Sequence, residues 1–483
     1  MPKFVCPVVS AAVFLLSAAF AGAAQPPANP HSAPAGPPLD WKSLETASLT
    51  DHVQLTTRDK FIKAGEAYFS PDDQWIIFQA IAVAQPGKEA DPFYAMYVAP
   101  LKRDTDGKSI TGMGEPILVS APHSANTCGW FDPVRRGMVI FGSTLSRPSD
   151  EQKSGFQVGS RKYVWMFPQE MEVVQKAVIP LLQIPVESGG EGGFAGSTSA
   201  ALDYLRAELN HVKKQLDGIS PVDAITRGKS PNRIKSKLSA ELIDLDIQQL
   251  KELAPFENEA KAIFTRGNYD AECSFSSDGR FLLYAHIEDG KEGAKADANI
   301  YVYDTVTREH HAIIVAPGYD GGPFFSSDGK RICYRSDRKG DDLLQLFVAD
   351  LKFDDGVPVG ITAEYQVTSN DAVNWAPYFH PSGEYLVYGS SQVSHQNYEI
   401  FAVKLDKPKM QAAQDHNGGN PSVVVKDLPT IRVSQSDGAD VLPVFNSTGS
   451  HMMWTSQRGP KAPNEDRASS QIWIAKWHGL PSP

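Results

Sequence analysis

Five residues of this 483-residue chain carry side-chain oxygens at one fixed offset. Asn126, Asp270, Asp320, Asn374 and Asp440 each stand five positions ahead of a phenylalanine. Three carboxylates and two amides brought to one place would suit a hard cation such as calcium, which takes oxygen ligands. The same residue types also fold back onto backbone amides in turns, so a purely local role competes. These five are the candidate ligand-binding residues. At a sixth equivalent position, ahead of Phe69, the chain carries Ala64 instead.

Other chemistry is sparse. No G-x-S-x-G elbow and no H-E-x-x-H pair occurs in the sequence. His310 and His311 are neighbours on a strand and so face opposite ways, which prevents joint chelation. Gly190 and Gly192 are spaced as G-x-G, but no G-K-[ST] follows and no βαβ unit surrounds them. Without a nucleophile–base constellation, no catalytic residue is assigned.

The oxygen-bearing residues belong to a repeat, and the repeat defines the elements that must position them. "FSSDGRFLLY" begins at Phe275 and "FSSDGKRICY" at Phe325. Related stretches begin at Phe69, Phe131, Phe379 and Phe445. Each places a polar turn between two runs of β-formers, a hairpin signature in which Gly accepts the positive φ of the turn. A third apolar strand follows each copy: "AMYVAPL", "YVWMFPQ" (163–169), "NIYVYDT", "LQLFVAD", "YEIFAVKL" and "SQIWIAKW". A further short strand precedes each copy. Four strands repeated six times predict an all-β fold, a six-bladed β-propeller. The first short strand, His52–Thr57, has no preceding blade, and the last blade lacks a fourth strand. The N-terminal strand is therefore expected to complete blade six and close the ring, removing two exposed edges. Phe78, Phe141, Tyr284, Tyr334, Tyr388 and Trp454 recur at the second aromatic position and are expected to fill the wedges between blades.

"GGPFFSSDGKRICYRSDRKG" and "VLPVFNSTGSHMMWTSQRG" carry the pattern P-x-F-S-x-D-G followed by an apolar-aromatic strand. This resembles the WD-repeat-like blades of the TolB propeller family over residues 51–478, apart from one insertion. The resemblance implies a propeller without the α/β domain that precedes it in TolB. It also draws notice to Gln392 and His395 in "SSQVSHQNY", because propeller lyases acting on pectin fragments use His and Gln around a metal. A propeller fold serves binding modules and enzymes alike.

The regular spacing breaks between Phe131 and Phe275. Residues 187–258 read as a helical insertion within blade two. Leu202, Leu205, Leu209, Val212 and Leu216 follow helical spacing, and a second helix over 239–254 stops at Pro255. The expectation is an αα-hairpin that folds apart from the blades. Residues 211–237 are basic within an acidic chain, either a docking patch for an acidic partner or a solvated loop.

At the N-terminus, Lys3, the run "VVSAAVFLLSAAF" and "AGAA" read as a signal peptide over residues 1–24. A Pro-rich linker covers 25–38, and the propeller covers 39–478. The protein is thus expected to be exported, periplasmic or secreted, without a membrane span. With 46 basic residues against 57 acidic ones, the net charge of −11 disfavours nucleic acid as a partner. Cys128, Cys273 and Cys333 lie beyond the leader, an odd number that implies no disulfide framework.

Two functions follow. The first is a non-catalytic, monomeric propeller that binds a protein or glycan of the cell envelope through its channel face, with no cofactor beyond a candidate calcium at the channel mouth. The alternative is a metal-dependent hydrolase or lyase with its site at that mouth.

Overall fold

In the motif turns, the Ser276 hydroxyl donates to Asp278 at 2.6 Å and accepts the Phe281 amide at 3.0 Å, while Gly279 takes φ +71°. Ser326, Asp328 and Gly329 repeat the arrangement in the next copy. A side-chain-braced tight turn explains why the chain writes the same residues again: each copy needs one Ser, one Asp and one Gly at these spacings. The computed structural model describes residues 39–149, 168–184, 195–217, 231–288, 297–463, 465 and 467–481. The leader, the Pro-rich linker, Gly190 and Gly192, and residues 218–230 of the basic segment lie outside them.

The strands form six antiparallel blades, as the repeat predicts. Their inner strands are Phe61–Phe69, Asn126–Phe131, Asp270–Phe275, Asp320–Phe325, Asn374–Phe379 and Asp440–Phe445. Strand Leu49–Gln54 pairs with Gln471–Trp477, matching Leu49 to Trp477 and Val53 to Ile474. Blade six is completed by the N-terminal strand, and the ring is closed. Helix α1 (Trp41–Glu45) leads into that strand; Asp40 caps it by accepting the Ser43 amide. The six wedge aromatics are all buried, none more than 1% exposed.

Some details differ from the sequence reading. The third strand of blade two is Glu172–Ala177, paired with Met138–Ser143, not 163–169, most of which lies outside the described residues. Blade four gains a fifth strand. Ser422–Val424, from the connection between the third and fourth strands of blade five, pairs in parallel with the outer strand Val357–Gln366.

The insertion contains two packed helices, α2 (Thr198–Asp217) and α3 (Pro231–Leu253). Their apolar faces share one core with blade two: Leu205, Leu250 and Leu253 pack with Met138, Ala177 and Ile179. Asp40–Pro483 forms one compact unit that includes the hairpin. The Gln249 amide also donates to the Arg136 carbonyl at 3.0 Å.

Candidate functional site

The five oxygen-bearing residues begin their inner strands, as expected, and all are buried. Each is bonded within its own blade or to the blade before it. Asp270 accepts from His286 at 2.8 Å, and Asp320 from Arg338 at 2.9 Å. Asp440 accepts from Trp454 Nε1 at 3.2 Å and from Arg458 at 2.5 Å. Asn126 donates to the carbonyls of Tyr94 and Ser124, and Asn374 to Asn370 and Gln345 while accepting from Ser390. One carboxylate oxygen of Asp270 and one of Asp320 are buried without a hydrogen-bond partner. Burial raises the Asp320 carboxyl to about 6, against the pull of Arg338. Among the described residues no group of three or more His, Cys, Asp or Glu is placed to hold a metal ion.

Two positions further along each inner strand lies a ring that the sequence reading did not single out. Glu66, Cys128, Glu272, Gly322, Ala376 and Leu442 all have φ between +47° and +58°. A β-bulge accompanies each one, so register shifts recur in all six blades. A bulge adds twist and re-aims a side chain. Here the polar members meet one another across blades. Glu66 accepts from Cys128 Sγ at 2.9 Å and from Thr127 at 3.3 Å. Glu272 accepts from the Tyr319 hydroxyl at 2.8 Å and from the Gly322 amide, and pairs with Arg335 at 3.3 Å. Gly321 and Gly322 make room for this group. A Cβ on Gly322 would lie 1.8 Å from Arg335 Nη1, and one on Gly321 would lie 2.2 Å from the Tyr319 hydroxyl. Burial raises the Glu66 carboxyl despite the Cys128 hydrogen bond, and burial beside Glu66 and Glu272 pushes the Cys128 thiol far up. That thiol is therefore a hydrogen-bond donor and not a nucleophile.

Next along the strands, Tyr68, Trp130, Phe324 and Tyr378 meet. Tyr68 of blade one and Phe324 of blade four, on opposite sides of the ring, have centroids 5.7 Å apart. Trp130 lies 5.1 Å from Tyr68, and Tyr378 lies 5.1 Å from Phe324. Aromatic side chains thus meet at the axis and divide the channel. Beyond them opens a funnel of about 290 Å³ to which all six blades contribute through the motif phenylalanines, with Trp130 and Tyr378 on its floor. A groove of similar volume adjoins it at Pro71 and Pro133 and runs to Leu181, beside the helical insertion.

Gln392 and His395 make separate contacts. Gln392 donates to Ser390 and lines a side pocket, while His395 stands edge-on to Tyr398 at 5.7 Å.

Strand order and the closed ring define the class of protein as a six-bladed β-propeller. No family model matches the chain, and no curated protein matches it. Solved structures similar to it include a putative TolB from Agrobacterium tumefaciens, at 11% identity over 86% of this chain and 91% of that one, TM-score 0.38. An oligogalacturonate lyase from Vibrio parahaemolyticus is similar at 10% identity over 89% and 95%, TM-score 0.40. Prolyl oligopeptidase B from Galerina marginata is similar at 11% identity, over 83% of this chain and 42% of that one, TM-score 0.36.

Proposed function

We propose that this protein is an exported, non-catalytic binding module that takes a protein or glycan of the cell envelope at a channel face. The observation that carries this reading is the funnel, an aromatic-floored depression assembled from all six blades and continuous with a groove beside the insertion. Concave, largely apolar surfaces with a few polar groups are where ligands gain affinity. The ionisable groups of the channel are turned on one another: Glu272 is held by Tyr319, Gly322 and Arg335, and Glu66 by Cys128 and Thr127. This arrangement supports binding rather than turnover. Ser277 and Ser327 are exposed on the funnel rim. Glutamates at both positions should abolish capture of envelope protein or glycan fragments by the immobilised protein while leaving its melting temperature unchanged. Undiminished capture by that variant would rule out the funnel.

A second reading, a metal-dependent hydrolase or lyase, draws on the unpartnered oxygens of Asp270 and Asp320. Its signature is a calcium-dependent rise in melting temperature that disappears in Asp270→Asn/Asp320→Asn.

A further inference from the structure

The internal repeat allows one blade to be compared with the next. In blade four the wedge tyrosine, Tyr334, donates to Glu364 and lies 3.3 Å from Arg338, which is paired with both Glu364 and Asp320 at 2.9 Å. In blade six Trp454 stands at the same position, and Arg458 joins Asp440 to Glu45. Each of these wedges is filled by an arginine and two carboxylates. Arg338 also covers the Phe347 ring at 4.3 Å.

Blade five departs from this. The register aligns Tyr388 opposite Phe401 as Tyr334 is opposite Phe347, and Thr430 opposite Val403 as Glu364 is opposite Ala349. By the same count Gln392 replaces Arg338, and Asn374 replaces Asp320. Every charged member of the neighbouring wedge has become a neutral hydroxyl or amide, and the arginine and the glutamate have become shorter. The result is a pocket of about 390 Å³ whose lining includes Thr368, Asn370, Tyr388, Gln392, Lys426 and Thr430. One wall comes from residues 425–428, which follow the excursion Ser422–Val424 to blade four and lead back to blade five.

Tyr388 is fully buried, and its hydroxyl has only the neutral side chains of Gln392 and Thr430 as hydrogen-bond partners. Those partners bond in turn to Ser390 at 3.1 Å and to the Leu428 carbonyl at 3.2 Å. A buried hydroxyl is ordinarily paired, because leaving it unmade costs about 1–3 kcal/mol. The same hydroxyl in blade four is paired with charged groups, Glu364 and Arg338.

We propose that this pocket between blades four and five is a binding site for a neutral polyhydroxyl ligand, one sugar ring in size, with the Tyr388 hydroxyl as its buried anchor. The volume falls within the ordinary range of small-molecule pockets, about 300–1,000 Å³. A cation or anion seated at depth would need a counter-charge there. The pocket offers the buried hydroxyls of Thr368 and Tyr388 and the more exposed Asn370, Gln392 and Thr430; Lys426 and Asp427 are exposed at its rim. Alternating donors and acceptors beside an aromatic residue match the edge of a sugar. The site is separate from the funnel, so the two readings stand or fall independently.

The test is titration of the parent with glucose, galactose, N-acetylglucosamine and myo-inositol, followed by calorimetry and NMR shifts, with free arginine and citrate as charged comparisons. Binding of at least one neutral probe is expected. Gln392→Arg/Thr430→Glu restores the pair found in blade four, fills the pocket and should weaken that binding about tenfold or more, about 1.4 kcal/mol. Tyr388→Phe removes one hydroxyl and leaves the ring packed, so it should weaken binding in a protein that still unfolds cooperatively, whether or not the double variant folds. No neutral probe bound, tighter binding of arginine or citrate, or full binding by Tyr388→Phe would each overturn the proposal.

Discussion

Arg458 and Glu45, 413 positions apart in the chain, are joined by two hydrogen bonds of 2.8 and 3.0 Å with both side chains wholly removed from solvent. The same guanidinium holds Asp440, and Glu45 also meets His52 at 2.9 Å. The site where the ring closes is therefore a small buried network of charge. Burial raises the Glu45 carboxyl, but the His52 and Arg458 hydrogen bonds outweigh it, so its pKa falls below the ordinary value.

Arg458→Ala leaves two buried carboxylates without their cation. Removing one member of a buried pair costs about 3–5 kcal/mol, and chemical denaturation should register a loss of that order. A change below about 1 kcal/mol, typical of exposed pairs, would show that the closure does not depend on this network.

Glu172 gives a pH dependence of the opposite sign to Glu45. Its carboxyl is raised to about 7, by burial first and by Asp270 second. The native state therefore holds a proton that the unfolded chain releases near 4.5. This contribution is fully present below 4.5 and is lost as pH rises through 7. Because the group is partly exposed, solvent screening reduces the effect to about 1 kcal/mol. Glu172→Gln should narrow the difference in melting temperature between pH 5.5 and pH 8; an unchanged difference refutes the assignment.

The ring of bulges makes two neighbouring substitutions diverge. Gly322→Ala sets a Cβ against the buried Arg335 guanidinium at a positive φ, and should cost about 2–3 kcal/mol. Ala376→Gly, at the same ring position with φ +53°, relieves a strained conformation and should be neutral or stabilising by up to about 1 kcal/mol. Equal effects in thermal unfolding would mean that neither the φ nor the close approach matters.

Cys128, Cys273 and Cys333 are free and buried, and burial raises each thiol's pKa. Iodoacetamide at pH 8 should therefore leave all three unmodified in the folded protein and label them in guanidinium. Rapid labelling of Cys128 in the native state would overturn its placement as a hydrogen-bond donor to Glu66.

The blades were legible because their determinants are local. A Ser-x-Asp-Gly turn with flanking β-formers states its own conformation, and the lone strand before Phe69 announced the closure. The channel was harder to read. Glu66, Cys128 and Glu272 lie three residues ahead of the motif phenylalanine, and strict alternation gives no warning of a bulge that re-aims them. Arg335 and Tyr319 reach the same chamber only because residues 321 and 322 lack side chains, a fact about the space between strands. The insertion was recognised as helical from Leu205 and Leu209, but not as sharing a core with blade two, because helical spacing identifies an apolar face without identifying what it packs against. Gln392 stands out in the sequence only for its nearness to His395; its correspondence to Arg338, one blade away, emerges only from the strand register.

Closure by strand Leu49–Gln54 also sets the order in which the molecule can be finished. Thr50 and His478, in contact at 2.7 Å, are 428 positions apart. At about 5–20 residues per second, a ribosome needs roughly 20–85 s to pass from one to the other. Throughout that interval the first strand has no partner and blade one has no neighbour on one side. The nascent chain is therefore an open arc with two sticky edges, and the vulnerable species is the unfinished disc. Conditions that slow translation late in the chain should increase aggregation even where the completed protein is stable.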